Sequence, residues 1–423
     1  MGSHTPDLDS SPSIAVASRA AILGPIAANI AFVMELTLVP LLLPAIQVQF
    51  GLSVSDLAWV FNSYGIAVAV GVLFGGWLGD AFDTRKVFGC GVALFAAGSL
   101  LVSASESYEA LISGRVLQGL GGGIFSPLIP LLLTRASPHR PGRVLIVWGS
   151  IAGYVAAFAP MLYSGLLDGS NWQNAFVLNA VIAIVALAVL IGTSIADEPA
   201  QVVREKRKYT ALFRAKDLWI TFVYVFCTYG CITYFLFRLP VWLTGKEVGT
   251  VGVGFLLSVM WLTFSGSSTL LRNLVDKPHI RIVMLAAPVL IAAAMPLLFY
   301  TDQLPLLVLS AVLVGTGLAC SNAPSTQLIL RFAPEGMSAI STSLDITFAR
   351  LGGIATVAVL ADTRPEIATP VIVLLSVVAA LCTLAVRRRL AEGRGASPPV
   401  RNCGDTNSVR HTTSPHPRGK TAS

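Results

Sequence analysis

The chain has 423 residues, 54% of them hydrophobic and only 12% charged, with a mean hydropathy of +0.74. Soluble proteins carry about 25% charged residues, and the apolar residues here lack the charged outer face of a soluble amphipathic helix, which excludes a large soluble helical protein. The net charge of +7 sits between the apolar runs, where membrane topology accounts for it and no nucleic-acid partner is needed.

The apolar residues form about twelve runs of roughly 18–27 residues, each long enough to cross a hydrocarbon core of about 30 Å. With no water in that core, each run must be a helix that satisfies its own backbone. The expected fold class is therefore an all-α membrane protein with twelve transmembrane helices.

In chain order, residues 1–19 are polar and read as a disordered tail. No small-residue cleavage site follows the first apolar run, so it reads as a span and not a removed signal. Span 1 covers 20–46 and holds Glu35, an acid deep in an apolar helix. Span 2 covers 57–78 and holds Asn62. A polar turn follows, Gly75-Gly76-Trp77-Leu78-Gly79-Asp80-Ala81-Phe82-Asp83-Thr84-Arg85-Lys86. Span 3 is 87–104. Span 4 is 108–133, with Arg115, Gln118 and the closely spaced Gly119, Gly121 and Gly123, which suit tight helix packing. Span 5 is 144–167, with Gly149, Gly153 and Pro160. Span 6 is 175–195, completing an N-terminal bundle over 20–196.

The linker 197–217 carries Arg204, Lys206, Arg207, Lys208, Arg214 and Lys216 and is expected along an anionic inner leaflet. A C-terminal bundle over 218–390 repeats the scheme, with spans at 218–243, 249–271, 282–300, 304–330, 337–360 and 369–386. Residues 391–423 are rich in Pro, Ser, Thr and Arg and read as a second disordered tail. The polar turn after span 2 recurs 196 positions later, with Leu274, Asp276 and Arg281 at the places of Leu78, Asp80 and Arg85. One half-unit used twice implies two pseudo-symmetric six-helix bundles facing each other.

Of the 29 Lys and Arg residues, 24 fall on the side of the termini and only two, Lys246 and Arg364, on the other. The asymmetry puts both termini and the linker in the cytoplasm of a cell-membrane protein. The remaining three bases, Arg115, Arg238 and Arg350, lie within spans. Intramembrane charges are expensive and mark function by default, which singles out Glu35, Arg115, Asp345 and Arg350. Arg238, near the outer end of span 7, suits either a functional charge or a snorkelling side chain. Glu35 reads as a proton acceptor or as a structural partner of Arg115; both are assigned to proton coupling. Asp80, with Arg85, Asp276 and Arg281, is assigned to gating, since Asp80 can approach the positive N-terminus of span 11 near Ser338. Asn62, Gln118, Asn322 and Gln327 are amide candidates for substrate contact, Tyr229, Tyr234 and Trp261 candidate walls, and Asp345 and Arg350 candidates for substrate selection.

The six cysteines have no metal-ligand spacing, and Cys227 and Cys231 read as small buried residues on one helix face. No Ser-His-Asp set, metal cluster or phosphate loop is visible, so neither an enzyme nor a cofactor or metal is expected.

Several of these motifs match one family. Arg115-Val116-Leu117-Gln118-Gly119-Leu120-Gly121-Gly122-Gly123 resembles the R-x-x-Q-G-x-G-A-A of the major facilitator superfamily. The turn is similar to that family's G-x-L-x-D-R-x-G-R-R loop, departing at Ala81 and Asp83. Met34-Glu35-Leu36-Thr37-Leu38-Val39-Pro40 to Pro44 resembles the L-D-x-T-I-V-N-V-A-L-P of its larger drug-export branch, as does Trp59-Val60-Phe61-Asn62-Ser63-Tyr64. That branch usually has fourteen spans, and this linker leaves no room for the extra two. Its antiporter motif G-P-x-x-G-G is replaced by Ala159-Pro160-Met161-Leu162-Tyr163-Ser164. The resemblance covers about residues 20–390. It implies a drug:proton antiporter working by alternating access, exporting a small amphiphilic organic compound in exchange for protons. Proton-coupled uptake of a small metabolite or vitamin is the alternative, and a non-transporting receptor or scaffold a distant third. The expected partners are the small molecule, protons and the lipid bilayer, with the chain a monomer.

Overall fold

The computed structural model describes residues 12–137, 141–166, 172–192, 210–243, 246, 248–275, 280–334 and 337–393, which form helices and turns with no strand among them. The first helices are α1 (Pro12–Phe50), α2 (Val54–Ala81), α3 (Thr84–Ser103), α4 (Tyr108–Phe125), α5 (Ile129–Ala136), α6 (Pro141–Leu166) and α7 (Gln173–Ile191). The short α8 (Thr210–Arg214) comes next. It is followed by α9 (Lys216–Leu243), α10 (Gly249–Val275), α11 (Ile280–Tyr300), α12 (Leu304–Phe332), α13 (Ser338–Leu360) and α14 (Pro365–Gly393). Among the described residues, twelve segments are long and apolar enough to cross a membrane, with α4 and α5 forming one of them.

Local chemistry sets the boundaries. Ser53 caps α2 by accepting from the Asp56 N–H at 3.1 Å, and Ser107 caps α4 by accepting from the Ala110 N–H at 3.2 Å. Asp83 caps α3, taking the N–H groups of Arg85 and Lys86 at 2.8 and 3.4 Å. The polar turn is thus a helix stop and a helix start placed back to back. Between α4 and α5 the chain tightens into a 3₁₀ turn at Ser126–Leu128. Pro127 and Pro130 remove two N–H donors there, so a regular ladder cannot continue.

Residues 1–11 of the expected N-terminal tail lie outside the described residues, and α1 begins at Pro12, a first helical position where the missing proline N–H costs nothing. The linker 197–217 ends in α8 and the start of α9, while its residues up to 209 lie outside the described residues, as do 394–423 of the C-terminal tail.

Helices α1–α7 form one bundle and α9–α14 the other. Within the first bundle α2, α3 and α4 pack backbone to backbone. A Cβ on Gly119 would lie 2.5 Å from the Tyr64 carbonyl oxygen, and one on Gly121 2.3 Å from the Phe95 nitrogen. The glycine run of span 4 therefore packs as its spacing predicts. In the second bundle Gly352 of α13 serves the same end, with 2.0 Å between its would-be Cβ and the Phe226 carbonyl oxygen of α9. Large apolar side chains face outward along α7 and α14, including Val181, Val185, Leu374 and Leu381, as a lipid-facing belt requires.

The core is asymmetric across the membrane. At the end away from the termini, one apolar cluster joins both bundles, from Leu38, Leu42 and Ile46 to Phe237, Leu243 and Leu256. Phe61 and Phe237 meet across the seam at 5.8 Å. At the termini end each bundle has its own core, around Phe88, Phe95 and Phe125 in one and Phe222, Val225 and Leu328 in the other. The bundles are therefore sealed at the far end and touch more sparsely toward the termini, where Ile346 of α13 packs against the first bundle's core and a Cβ on Gly76 of α2 would lie 3.6 Å from Ser343 Oγ.

Candidate functional site

A cavity of about 480 Å³ lies between the bundles. Its walls are mostly apolar, with Leu36, Val39, Phe61, Leu236, Trp261 and Phe264 among them. Four ionisable side chains reach it: Glu35, Arg115, Asp345 and Arg350. Every intramembrane charge singled out for function in the sequence is therefore at one site.

The first-bundle side is a closed hydrogen-bond network. Glu35 of α1 and Arg115 of α4 are each 1% exposed and form an ion pair between Oε1 and Nη1. The other carboxylate oxygen, Oε2, accepts from Gln118 Nε2 at 2.7 Å and from Asn179 Nδ2 at 3.0 Å. Arg115 also donates to Gln118 Oε1 at 2.8 Å and, through Nε, to the Val60 carbonyl at 3.2 Å. Its guanidinium lies 4.4 Å from the Tyr64 ring centroid, close enough for a cation–π contact. Gln118 completes its own bonding by donating to Ser99 Oγ at 2.9 Å. Helices α4 and α7 thus hold the α1 carboxylate directly, α2 and α3 hold its partners Arg115 and Gln118, and burying the pair is tolerable because both partners are so fully bonded.

The second-bundle side is more open. Asp345 of α13 accepts from Thr326 Oγ1 at 2.9 Å, and Tyr229 donates to Asn322 Oδ1 at 3.0 Å. Asn62 crosses between the bundles, donating to the Ile354 carbonyl at 3.2 Å. Arg350 lines the cavity without a hydrogen bond or ion pair among the described residues. Arg238 does not snorkel: it is 8% exposed, donates to the Ala361 carbonyl at 3.1 Å and lies 5.1 Å from the Trp242 ring. It closes the C-terminal end of α13.

The candidate substrate contacts divide. Asn62, Tyr229, Trp261, Asn322, Asp345 and Arg350 line the cavity. Gln118, Tyr234 and Gln327 do not, and helix phase explains two of the three. Five residues turn a helix by about 140°, so Gln327 cannot face the same way as Asn322, nor Tyr234 the same way as Tyr229. Thr326 and Thr233, four residues on, take those places. Tyr234 instead packs against Phe299 in the far-end core. Gln118 is pressed against α3, its backbone nitrogen 2.3 Å from where a Gly98 Cβ would stand, and its side chain serves Glu35 from behind.

The gating candidates are less gathered. Arg85 donates to the carbonyls of Leu190 and Ile191, closing the end of α7 within its own bundle. Arg281 lies by Thr221 and Tyr224 of α9, also within one bundle. Asp276 and the side chain of Asp80 lie outside the described residues. Sequence reasoning did not single out Asn179, Ser99, Thr326, Phe61 or Phe264. Asn179 alone carried a signal, as an amide in an otherwise apolar span.

The family model described as Major Facilitator Superfamily matches residues 26–357. The chain is 33% identical over 155 residues to the tetracenomycin C resistance and export protein of Streptomyces glaucescens, covering 36% of this chain and 29% of that protein. It is 31% identical over 168 residues to the drug efflux pump JefA of Mycobacterium tuberculosis (strain CDC 1551 / Oshkosh), covering 39% and 33%. The matched region thus spans about a third of each of these relatives. Among solved structures, the nucleoside transporter NupG superposes with a TM-score of 0.70 at 14% identity, covering 87% of this chain and 99% of that one. A D-xylose-proton symporter also gives 0.70 at 14% identity, covering 87% and 96%. With twelve candidate spans among the described residues, in two six-helix bundles around a central cavity, the chain is a multi-pass membrane protein and belongs to the Major Facilitator Superfamily.

Proposed function

We propose that the chain exports a small amphiphilic organic compound in exchange for protons, by alternating access, with Glu35 as the proton site. The observation that carries this is the bonding of Glu35. Both carboxylate oxygens act only as acceptors, toward Arg115, Gln118 and Asn179. A proton on either oxygen turns an acceptor into a donor that faces a donor. A proton and Arg115 therefore compete for the carboxylate, and the carboxylate lines the cavity through which cargo passes. Loading a proton loosens α1 from α4; losing it restores the pair. That is a switch of the kind alternating access needs.

Direction and orientation complete the reading. The basic asymmetry of the loops supports cytoplasmic termini in a cell membrane, with the end where each bundle keeps its own core facing inward. Two relatives are named for export or efflux, which supports outward transport. Uptake is the second reading, favoured by the loss of the antiporter motif at Ala159–Pro160–Met161–Leu162–Tyr163–Ser164. In the gating turn Asp80 is the residue proposed to meet the N-terminus of α13 when the inner side closes, and Asp276 is its repeat counterpart. Arg85 and Arg281 brace that turn and its repeat from within their own bundles.

The test is transport in proteoliposomes with and without a protonophore. Glu35→Gln is expected to abolish gradient-driven transport while counterflow exchange partly survives. If Glu35→Gln remains protonophore-sensitive and Asp345→Asn loses that sensitivity, the proton site belongs to the second bundle.

A further inference from the structure

The four cavity charges are not equally satisfied. Glu35 and Arg115 neutralise each other, and Asp345 is 8% exposed and held by Thr326. Arg238, outside the cavity, has the Ala361 carbonyl and the Trp242 ring. Arg350 differs from all of these. It faces the cavity from α13 and, among the described residues, has neither a hydrogen bond nor an ion pair. Its electrostatic neighbours are the phenols of Tyr64 and Tyr229. Asp345 stands five residues away on the same helix and forms no ion pair with it.

A guanidinium carries five N–H donors in a planar fork, and those of Arg350 meet the cavity with no protein acceptor among the described residues. In a site built of helices, such a group is a receptor for a carboxylate or a similar planar anion. A second donor stands nearby. Asn322 uses its oxygen to accept from Tyr229, which leaves its amide N–H pair free toward the cavity. The remaining wall is apolar and partly aromatic, with Phe61, Leu236, Trp261 and Phe264. Anion receptor and aromatic wall within one cavity of about 480 Å³ specify the shape of a ligand.

We infer that the cavity selects amphiphilic organic anions, with a carboxylate on Arg350 and a flat apolar body against Phe61, Trp261 and Phe264. This deepens the transporter reading above by naming its cargo class. It does not depend on direction or on the coupling ion, so a binding measurement can fail while export stands, and the reverse.

The experiment uses the full chain in nanodiscs of phosphatidylcholine, so that no anionic lipid competes. The probes share one ring system: naphthoate, naphthylmethanol and naphthylmethylamine. Binding is read as quenching of tryptophan fluorescence, which Trp261 places within reach of the site. Naphthoate is expected to bind at least about tenfold more tightly than the other two, the worth of a hydrogen-bonded charge. Arg350→Gln should erase that preference while leaving naphthylmethanol binding in place, which also reports folding. Arg350→Lys should keep part of it. Equal binding of the three wild-type probes overturns the inference, and that ranking needs no variant to fold. Preference for the amine overturns it in favour of Asp345, and a naphthoate preference that survives Arg350→Gln overturns it as well.

Discussion

Replacing Glu35 by Gln keeps the size of the side chain and removes one charge. The structure says where the loss falls. One carboxylate oxygen pairs with Arg115 and the other accepts from Gln118 and Asn179, so the new amide N–H₂ must face a donor in either orientation. Arg115, 1% exposed, is left as a buried cation with only neutral partners. Breaking a buried pair by removing one partner costs about 3–5 kcal/mol. The double variant Glu35→Gln, Arg115→Gln removes the orphaned charge as well, and its neutral amides can bond with Gln118 and Asn179. It should therefore be more stable than the sum of the two single losses by at least about 1 kcal/mol, within the range for residues in one network. Denaturant unfolding of the four purified forms in one detergent measures the cycle. If the two losses simply add, Glu35 and Arg115 are not an energetic pair, and the competition between Arg115 and a proton has no basis.

Three further outcomes follow from other parts of the fold. Reporter fusions at Gln201 and Ser423 should both read cytoplasmic; a signal from the opposite side at either one refutes the topology. Asp80→Asn should slow transport more than Asp83→Asn at equal expression, because Asn remains a good N-cap for α3 and so preserves what Asp83 does for the Arg85 and Lys86 N–H groups; equal activity removes Asp80 from gating. Gly352→Val should sharply lower the yield of folded protein, since its first side-chain carbon would stand 2.0 Å from the Phe226 carbonyl oxygen, whereas Gly149→Ala, with nothing within 4 Å, should be tolerated; size-exclusion profiles of the two variants compare them directly.

Much of the fold was legible because the bilayer imposes simple rules. Uninterrupted apolar runs had to be helices, and loop charges ordered them. The pairing of Glu35 with Arg115 was legible for a related reason: an acid and a base alone in one half of the hydrocarbon have few other ways to be satisfied. Helix phase was harder to read. Tyr229 and Asn322 face the cavity, but Tyr234 and Gln327 match them only in residue type, and a turn of the helix by about 140° carries each of them away. Asn179 escaped notice because a single amide does not reveal its partner until α1 and α7 are packed together. Arg85 matched a family motif, yet its bonds to the end of α7 arise from a long-range contact that no local pattern encodes.

The far-end seal also gives the transport cycle a thermal character. Opening it must part Phe61 from Phe237 and divide a cluster that both bundles share. Apolar surface that meets water raises the heat capacity, and its cohesion weakens on cooling. Toward the termini the buried clusters belong to one bundle each. The opening of the far side is thus the step whose free energy bends with temperature, and turnover limited by that step will not follow a straight Arrhenius line.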